Sequence, residues 1–349
     1  MSPQQFWRDV SQAYRPPVVL PDIGTFFNQD MALAERLLHA TVNSGARYVK
    51  GEILHDADIC LATDTTEQYL GSDAGLVREN YRTLIERKTV SLPQYRELFA
   101  PCAELNVGLV LSVYDPVGAN FAQEIGACAL KIASTNVVHA PLIRHCARLG
   151  LPLIIDTGKA TLAEAQRAVR WAREAGAEQI VIEYSPPAPP APLERHNLQV
   201  LPDLGKLFGL PVGLSDHHHG EEMLYAATAL GCRVLEKGLC HSRGSSDQDV
   251  FHALPVEQLR DTITRCHNIH AALGDSHAAY SAPEQRPAAR MGLVALKDIQ
   301  PGETLNLENV RFAFPTLGIP VEQWDQVSGQ RARHDIPANT PLDWKHVDS

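Results

Sequence analysis

Eight short apolar runs, separated by segments of helical period, restrict the fold of this chain more than any other feature of its sequence. They read VVLPDIG (18–24), YVKGEI (48–53), GLVLSVYD (108–115), LKIAST (130–135), LPLIIDTG (151–158), IVIEYS (180–185), PVGLSDH (211–217) and RVLEKGL (233–239). Val, Ile and Leu fill the body of each run, as buried parallel strands require. Between them, 32–46, 91–106, 140–150, 161–177 and 220–232 place apolar residues at i, i+3, i+4 and i+7, and several end in Gly. A further segment of this kind, 254–274, follows the eighth run and would close the ring. Strands alternating with helices imply βαβ units on a parallel sheet, and eight of them predict an α/β (β/α)8 TIM barrel.

The runs end in residues able to do chemistry. The exits carry Asp22, Lys50, Asp115, Lys131 with Ser134, Asp156, Glu183, Ser215 with Asp216 and His217, and Glu236 with Lys237. In a (β/α)8 barrel such exits converge on one mouth, where active sites of that fold lie. The placement argues for an enzyme.

Bulk properties narrow the class. The 349 residues accommodate a barrel of roughly 250 residues plus a small extra domain. A net charge of −10 argues against nucleic-acid and anionic-membrane partners, which need clustered Lys and Arg. The start, MSPQQFWRDVSQAY, lacks a basic region followed by an apolar one, so no signal peptide is expected. No apolar run approaches the roughly 20 residues of a membrane span. Seven scattered cysteines without a C-x-x-C pair suit reduced thiols and a cytoplasmic location.

Two stretches interrupt the strand–helix pattern. Residues 54–90 form a long insertion whose beginning has no clear period, and 186–196 (PPAPPAPLERH) must be extended, because each Pro fixes φ and removes a backbone donor. That loop is either a rim shaping the pocket or a stiff surface connector. Composition turns polar and Pro-containing near 276–288, then shifts to short alternating runs with a Pro301-Gly302 turn. The expected organisation is a catalytic barrel over 1–276, a linker over 277–288 and a small β-rich domain over 289–349.

These residues resemble the sialic acid synthase family, which condenses phosphoenolpyruvate with an N-acetylated hexosamine. PDIGTFFNQD (21–30) is similar to its first-strand motif, with Asn28 and Asp30 in matching places, and KIAS (131–134), DTGKATL (156–162), GLSDH (213–217) and VLEK (234–237) follow in order. The stretches LVALKDIQPGETL (293–305) and GQRARHDIPANTPL (329–342) resemble the antifreeze-like (SAF) domain that follows the barrel in this family. The chain also departs from the pattern. Asp22 stands where the family usually has Glu, and Asp156 where it has Ser. Ile182-Glu183-Tyr184-Ser185 replaces a His-Cys-Thr-Ser motif. Gly238 replaces the His of Glu-Lys-His, and Asp247-Gln248-Asp249 occupies the region of a later His.

Lys50, Lys131, Ser134, Ser215 and Thr157 can form a cradle for phosphoenolpyruvate, with Asp216 and Lys237 also at the substrate, and the resemblance supports this role for the lysines and serines. Ammonium and hydroxyl donors converging in a dry mouth suit a phosphate. A barrel lysine can equally serve a buried ion pair with a neighbour such as Glu236. Asp22 and Glu236 would manage protons and the acceptor. The resemblance further implies a divalent metal (Mn2+ or Mg2+) that polarises the sugar aldehyde, held by His217. With Gly238 in place of the second His, replacement ligands are sought among Asp22, Asp156, Glu183, Cys240 and His241; otherwise the metal is lost. Of His217-His218-His219, only His217 should face the mouth, since adjacent strand residues point to opposite sides. Arg290 matches an Arg that reaches the partner's sugar in the family, which implies a domain-swapped homodimer; otherwise it forms a surface salt bridge.

The expected reaction is therefore an aldol-type condensation of phosphoenolpyruvate with an aldehyde sugar, giving a 3-deoxy-2-keto sugar acid and phosphate. Two alternatives stand beside it. One is a Schiff-base aldolase or lyase using Lys131 or Lys237, because a desolvated lysine beside another cation can be nucleophilic. The other is a non-catalytic relative that binds a sugar acid.

Overall fold

The computed structural model describes residues 1–71, 74–186, 191–241, 250–274 and 289–348. The whole 277–288 linker, the Pro-rich centre at 187–190 and Asp247–Asp249 thus lie outside the described residues. Two compact units divide the chain, Met1–Leu273 and Gly274–Ser349.

In the first unit eight parallel strands close on themselves: β1 (Val18–Gly24), β2 (Tyr48–Ile53), β5 (Gly108–Val113), β6 (Ala129–Ile132), β7 (Leu153–Asp156), β8 (Ile180–Tyr184), β9 (Val212–Asp216) and β10 (Val234–Cys240), with β10 pairing back to β1. The insertion after β2 contributes an antiparallel hairpin, β3 (Thr66–Leu70) with β4 (Leu76–Asn80). The outer ring includes α2 (Met31–Asn43), α4 (Leu92–Phe99), α7 (Ala140–Arg148), α8 (Leu162–Glu174), α10 (Glu222–Ala229) and α11 (Leu259–Leu273), all within segments of helical period. Their limits follow local chemistry: Thr161 and Glu164 close a reciprocal capping box on α8. Several described helices lie outside the sequence pattern, α3 (Tyr81–Lys88) in the 54–90 insertion among them. In α6 (Pro116–Glu124) and α9 (Val200–Phe208), Pro and Gly interrupt the period, and α1 (Pro3–Ser11) precedes the barrel.

Inward residues change character along each strand. Val18 and Leu20 on β1, Tyr48 on β2, Ala129 on β6, Ile154 on β7, Val181 on β8 and Val234 on β10 belong to one buried cluster inside the barrel. Helix α1 adds Phe6 and Val10 to that cluster, both fully buried. Their burial contributes roughly 3–6 kcal/mol of transfer free energy and closes the end at which the strands begin. Val19, Val49, Leu130, Ile155, Ile182, Leu214 and Leu235 lie in a separate cluster against the helices. With a side-chain period of two, the next inward positions are Asp22, Lys50, Lys131, Asp156, Glu183 and Glu236. The barrel is apolar at its closed end and charged at its open one.

The second unit has its own core around Leu293, Ile299, Leu305, Val310, Ile336 and Leu342. Its β12 (Gly292–Ala295) and β13 (Val310–Ala313) pair antiparallel, joined by isolated bridges such as Ile299 with Ile336. Among the described residues no helix is long and apolar enough to cross a membrane.

Candidate active site

At the open end, the side chains that the alternation turns inward meet in one cavity. Its lining includes Asp22, Lys50, Glu52, Ser112, Lys131, Ser134, Asp156, Ser215, His217 and Glu236. Strand register sets these neighbours: Asp22 lies beside Lys50 and Gly238, Ser112 beside Lys131, Asp156 beside Glu183, and Ser215 beside Glu236.

Glu236 Oε1 is the hub. It stands 2.5 Å from Lys131 Nζ and 4.0 Å from Lys50 Nζ, and accepts from Ser215 Oγ at 3.0 Å. Lys131 Nζ also lies 2.7 Å from Glu183 Oε2 and 3.4 Å from Asp156 Oδ2. Lys50 Nζ donates to Asp22 Oδ2 at 2.7 Å and Glu52 Oε1 at 3.0 Å. Two ammonium groups thus face five carboxylates, all but Glu52 nearly removed from solvent, so the carboxylates cannot all ionise freely.

The electrostatics separate the acids. Burial pushes Asp22 up to about 7, with Glu236 and Glu52 adding to the rise and Lys50 opposing it. Burial likewise raises Glu183 to about 8 against the pull of Lys131. Glu236 is buried too, but Lys131 and Lys50 outweigh the penalty and hold it at about 2. For Lys131, burial is outweighed by Glu183, Glu236 and Asp156, which raise the amine; Lys50 is held well above its ordinary range in the same way by Asp22, Glu52 and Glu236.

Several expectations change. The Thr157 hydroxyl donates to the Glu183 carbonyl at 2.9 Å, so it turns onto the neighbouring strand and away from the cradle. Lys237 is one residue out of phase with Glu236 and points away from the cavity. Its Nζ donates to Asp216 Oδ2 at 2.8 Å and to the carbonyls of His218 and Gly220. Asp216 borders the cavity, but its carboxylate is taken up by Lys237 and, at 2.8 Å, by the His218 amide. These two residues therefore support the loop that carries His217. Glu236, expected to share proton transfer, lies in the cavity in contact with Lys131 and accepts from Ser215. Asp115 caps α6 and meets His55 at 3.0 Å. Arg290 sits in the second unit, half-exposed and 3.3 Å from Glu322.

Several residues that line the mouth, Thr25 among them, went unrecognised in the sequence. Glu52 shares the inward face of β2 with Lys50, two residues away, and that period was the available signal. Ser112 is the polar residue inside the apolar body of β5, again inward. Phe26 and His252 line the cavity from outside the strands, and only the folded chain reveals them.

The donor set bears on the implied metal. His217 and His252 stand edge to face with ring centroids 4.9 Å apart. The buried Nδ1 of His217 makes no hydrogen bond with the described residues. Burial, aided by His217 and Lys237, drives His252 well below its ordinary range, so its ring is neutral and able to ligate. Two neutral imidazoles fit a borderline divalent ion. The other candidates are committed elsewhere: Asp22 to Lys50, Asp156 and Glu183 to Lys131, and Cys240 to an apolar cluster with Val250 and Ala253. His241 is exposed. Among the described residues no three His, Cys, Asp or Glu side chains cluster closely enough to enclose an ion.

A family model described as the NeuB family matches residues 37–278, and one described as the SAF domain matches 290–348. Pseudaminic acid synthase of Helicobacter pylori is 28% identical over 331 residues, 94% of this chain and 97% of that protein. N,N'-diacetyllegionaminic acid synthase of Campylobacter jejuni is 27% identical, covering 90% and 95%. The crystal structure of N-acetylneuraminic acid synthetase from Leptospira borgpetersenii, in complex with citrate, matches the fold with a TM-score of 0.69 at 21% identity, covering 78% of this chain and 90% of that one.

Proposed function

The chain belongs to the NeuB family, and from that premise we propose that it condenses phosphoenolpyruvate with an aldehyde sugar of the N-acetylhexosamine type. The products are a 3-deoxy-2-keto sugar acid and phosphate. The observation that carries the reading is the convergence of Lys50, Lys131 and Ser215 on one cavity at the strand exits. Sugar acid synthases among the relatives support the reaction class.

In this reaction C3 of phosphoenolpyruvate attacks the aldehyde carbon, water adds at C2, and phosphate leaves as the ketone forms. Lys50 and Lys131 counter the charge of the substrate carboxylate and phosphate, while Ser134 and Ser215 offer hydroxyl donors beside them. Asp22, raised to about 7, exchanges a proton near neutrality and suits a general acid–base at the water or the sugar oxygen. Glu236 stays a carboxylate and fixes Lys131 and Ser215 in place. A divalent ion held by His217 and His252 would polarise the aldehyde oxygen. Arg290, reaching across a homodimer to the acceptor, is part of the same proposal.

For the Schiff-base alternative, burial lowers the Lys237 amine, but that side chain points away from the cavity. Carboxylates surround Lys131 and keep it an ammonium ion, and Lys237 spends its protons on Asp216 and two carbonyls. One observation does favour a non-catalytic sugar-acid binder: Asp156 and Glu183 place acidic groups where a phosphate would sit beside Lys131. Phosphate release from phosphoenolpyruvate with a panel of N-acetylhexosamines and a divalent metal tests the condensation. Calorimetric binding of a sugar acid without turnover on any aldose would replace it with the binder.

A further inference from the structure

Position 238 follows Glu236 and Lys237, where the sequence resemblance places an imidazole. The structure fills that space with another side chain. A Cβ built on Gly238 would stand 2.8 Å from Phe26 Cζ and 3.3 Å from Phe26 Cε2, too close for a side chain unless the ring moves. Phe26 is itself held by packing against the buried cluster of Cys240, Val250 and Ala253.

The chain brings an imidazole back from a different direction. After the strand, the turn Val250–His252 leads into the short strand Leu254–Pro255, which pairs parallel with Leu239 and Cys240 of β10. This fixes His252, only 3% exposed, at the mouth beside His217. Two imidazoles bound to one ion at about 2.1 Å, 90–109° apart, would have ring centroids separated by roughly 4.6–5.3 Å. The observed separation of 4.9 Å falls in that interval. The buried Nδ1 of His217, which has no hydrogen-bond partner among the described residues, is a second, independent sign of a ligand at this place.

We propose that His217 and His252 together form a transition-metal site, with His252 supplying from the turn after β10 the imidazole that position 238 lacks. Water or substrate oxygen completes the coordination. Two nitrogen donors without a dedicated carboxylate favour Co2+, Ni2+ or Zn2+ over Mg2+, which prefers an all-oxygen shell. The purpose of the ion rests on the condensation reading, but its binding does not, and the two fail separately when the metal is measured without substrate.

The test uses the full chain stripped of metal and titrated with Co2+, followed by visible absorption and calorimetry. The expected result is one equivalent bound with Mg2+ unable to compete. His217→Gln and His252→Gln should each weaken binding about tenfold or more. Pulsed EPR of the unsubstituted chain loaded with Cu2+ counts coordinated imidazoles independently of how any variant folds. Two imidazoles support the pair. One or none, or a folded His252→Gln variant that binds Co2+ as tightly as the parent, overturns it.

Discussion

At the closed end of the barrel, Asp9 receives a donor from every side. Gln5 Nε2 and Arg15 Nη1 lie 2.9 Å from Oδ1, and the Tyr48 hydroxyl at 2.7 Å and Arg47 Nη1 at 2.9 Å meet Oδ2. At the open end carboxylates outnumber cations. There Ser112 Oγ and Glu236 Oε2 are buried without a hydrogen-bond partner among the described residues. Both ends bury ionisable groups, but only the first satisfies them. Unsatisfied buried polar atoms cost about 1–3 kcal/mol each, so the fold retains at the open end a strain that it avoids at the closed one. That difference marks which end is built for stability and which for a ligand.

The sharpest way to break this comparison is Lys131→Met. Removing one partner of a buried ion pair costs about 3–5 kcal/mol, and here three acidic neighbours lose their counter-charge together. Urea unfolding at pH 8 should show that loss, and product formation should drop by roughly 100-fold or more. A variant of unchanged stability would mean that the acids are simply neutral and that the lysine is not their anchor.

Titration gives the next largest effect. Asp22 and Glu183 are raised on folding, from ordinary values of 3.8 and 4.5 to about 7 and about 8. Their contribution to stability is therefore fully present below those ordinary values and is lost as pH rises through 7 and 8. Glu236 is lowered from 4.5 to about 2, so its contribution is present above 4.5 and is lost as pH falls towards 2. Glu183→Gln removes one of the two losses at high pH. Relative to the parent, it should gain on the order of 2–4 kcal/mol between pH 4.5 and pH 9 in urea unfolding. Parallel curves for the two proteins would refute the assignment of that loss to Glu183.

The closed end should respond in stability alone. Asp9→Ala leaves the Tyr48 hydroxyl buried and two arginines without their acceptor, at a cost of about 2–3 kcal/mol. Once the variant is folded, kcat/KM should match the parent. A drop in kcat/KM would show that the two ends are coupled.

How much of this was legible in the sequence varies by element. The barrel was, because eight apolar runs with helical spacers leave few other folds, and the exits named Lys50, Lys131, Ser215 and Glu236 without any coordinates. Alternation within a strand held further information: Ser215 and Glu236 inward place Asp216 and Lys237 outward, and Lys50 inward brings Glu52 with it. The helix α1 was hidden because nothing in nine polar-rich residues says that Phe6 and Val10 will close a barrel. Phe26 and His252 were hidden for a stronger reason. They enter the mouth from loops, and a loop residue's direction depends on the tertiary path rather than on any local period.

The smallest predicted effect tests the open end most directly. Asp156 accepts from Ser185 Oγ at 2.8 Å and from the Gly158 amide at 2.9 Å, and lies 3.4 Å from Lys131 Nζ. It occupies the position where the sequence resemblance places a serine, so a substrate phosphate beside Lys131 would meet a carboxylate instead of a hydroxyl. At an effective dielectric of about 20, each pair of like charges roughly 6 Å apart costs close to 3 kcal/mol before Lys131 offsets it. Asp156→Ser should therefore lower KM for phosphoenolpyruvate by about tenfold, close to 1.4 kcal/mol, with kcat nearly unchanged. The lost acceptor of Ser185 should cost about 1 kcal/mol of stability, visible in the same preparation by urea unfolding. An unchanged KM with that stability loss would place Asp156 with Asp9, as a satisfied structural acid, and would move the phosphate away from Lys131.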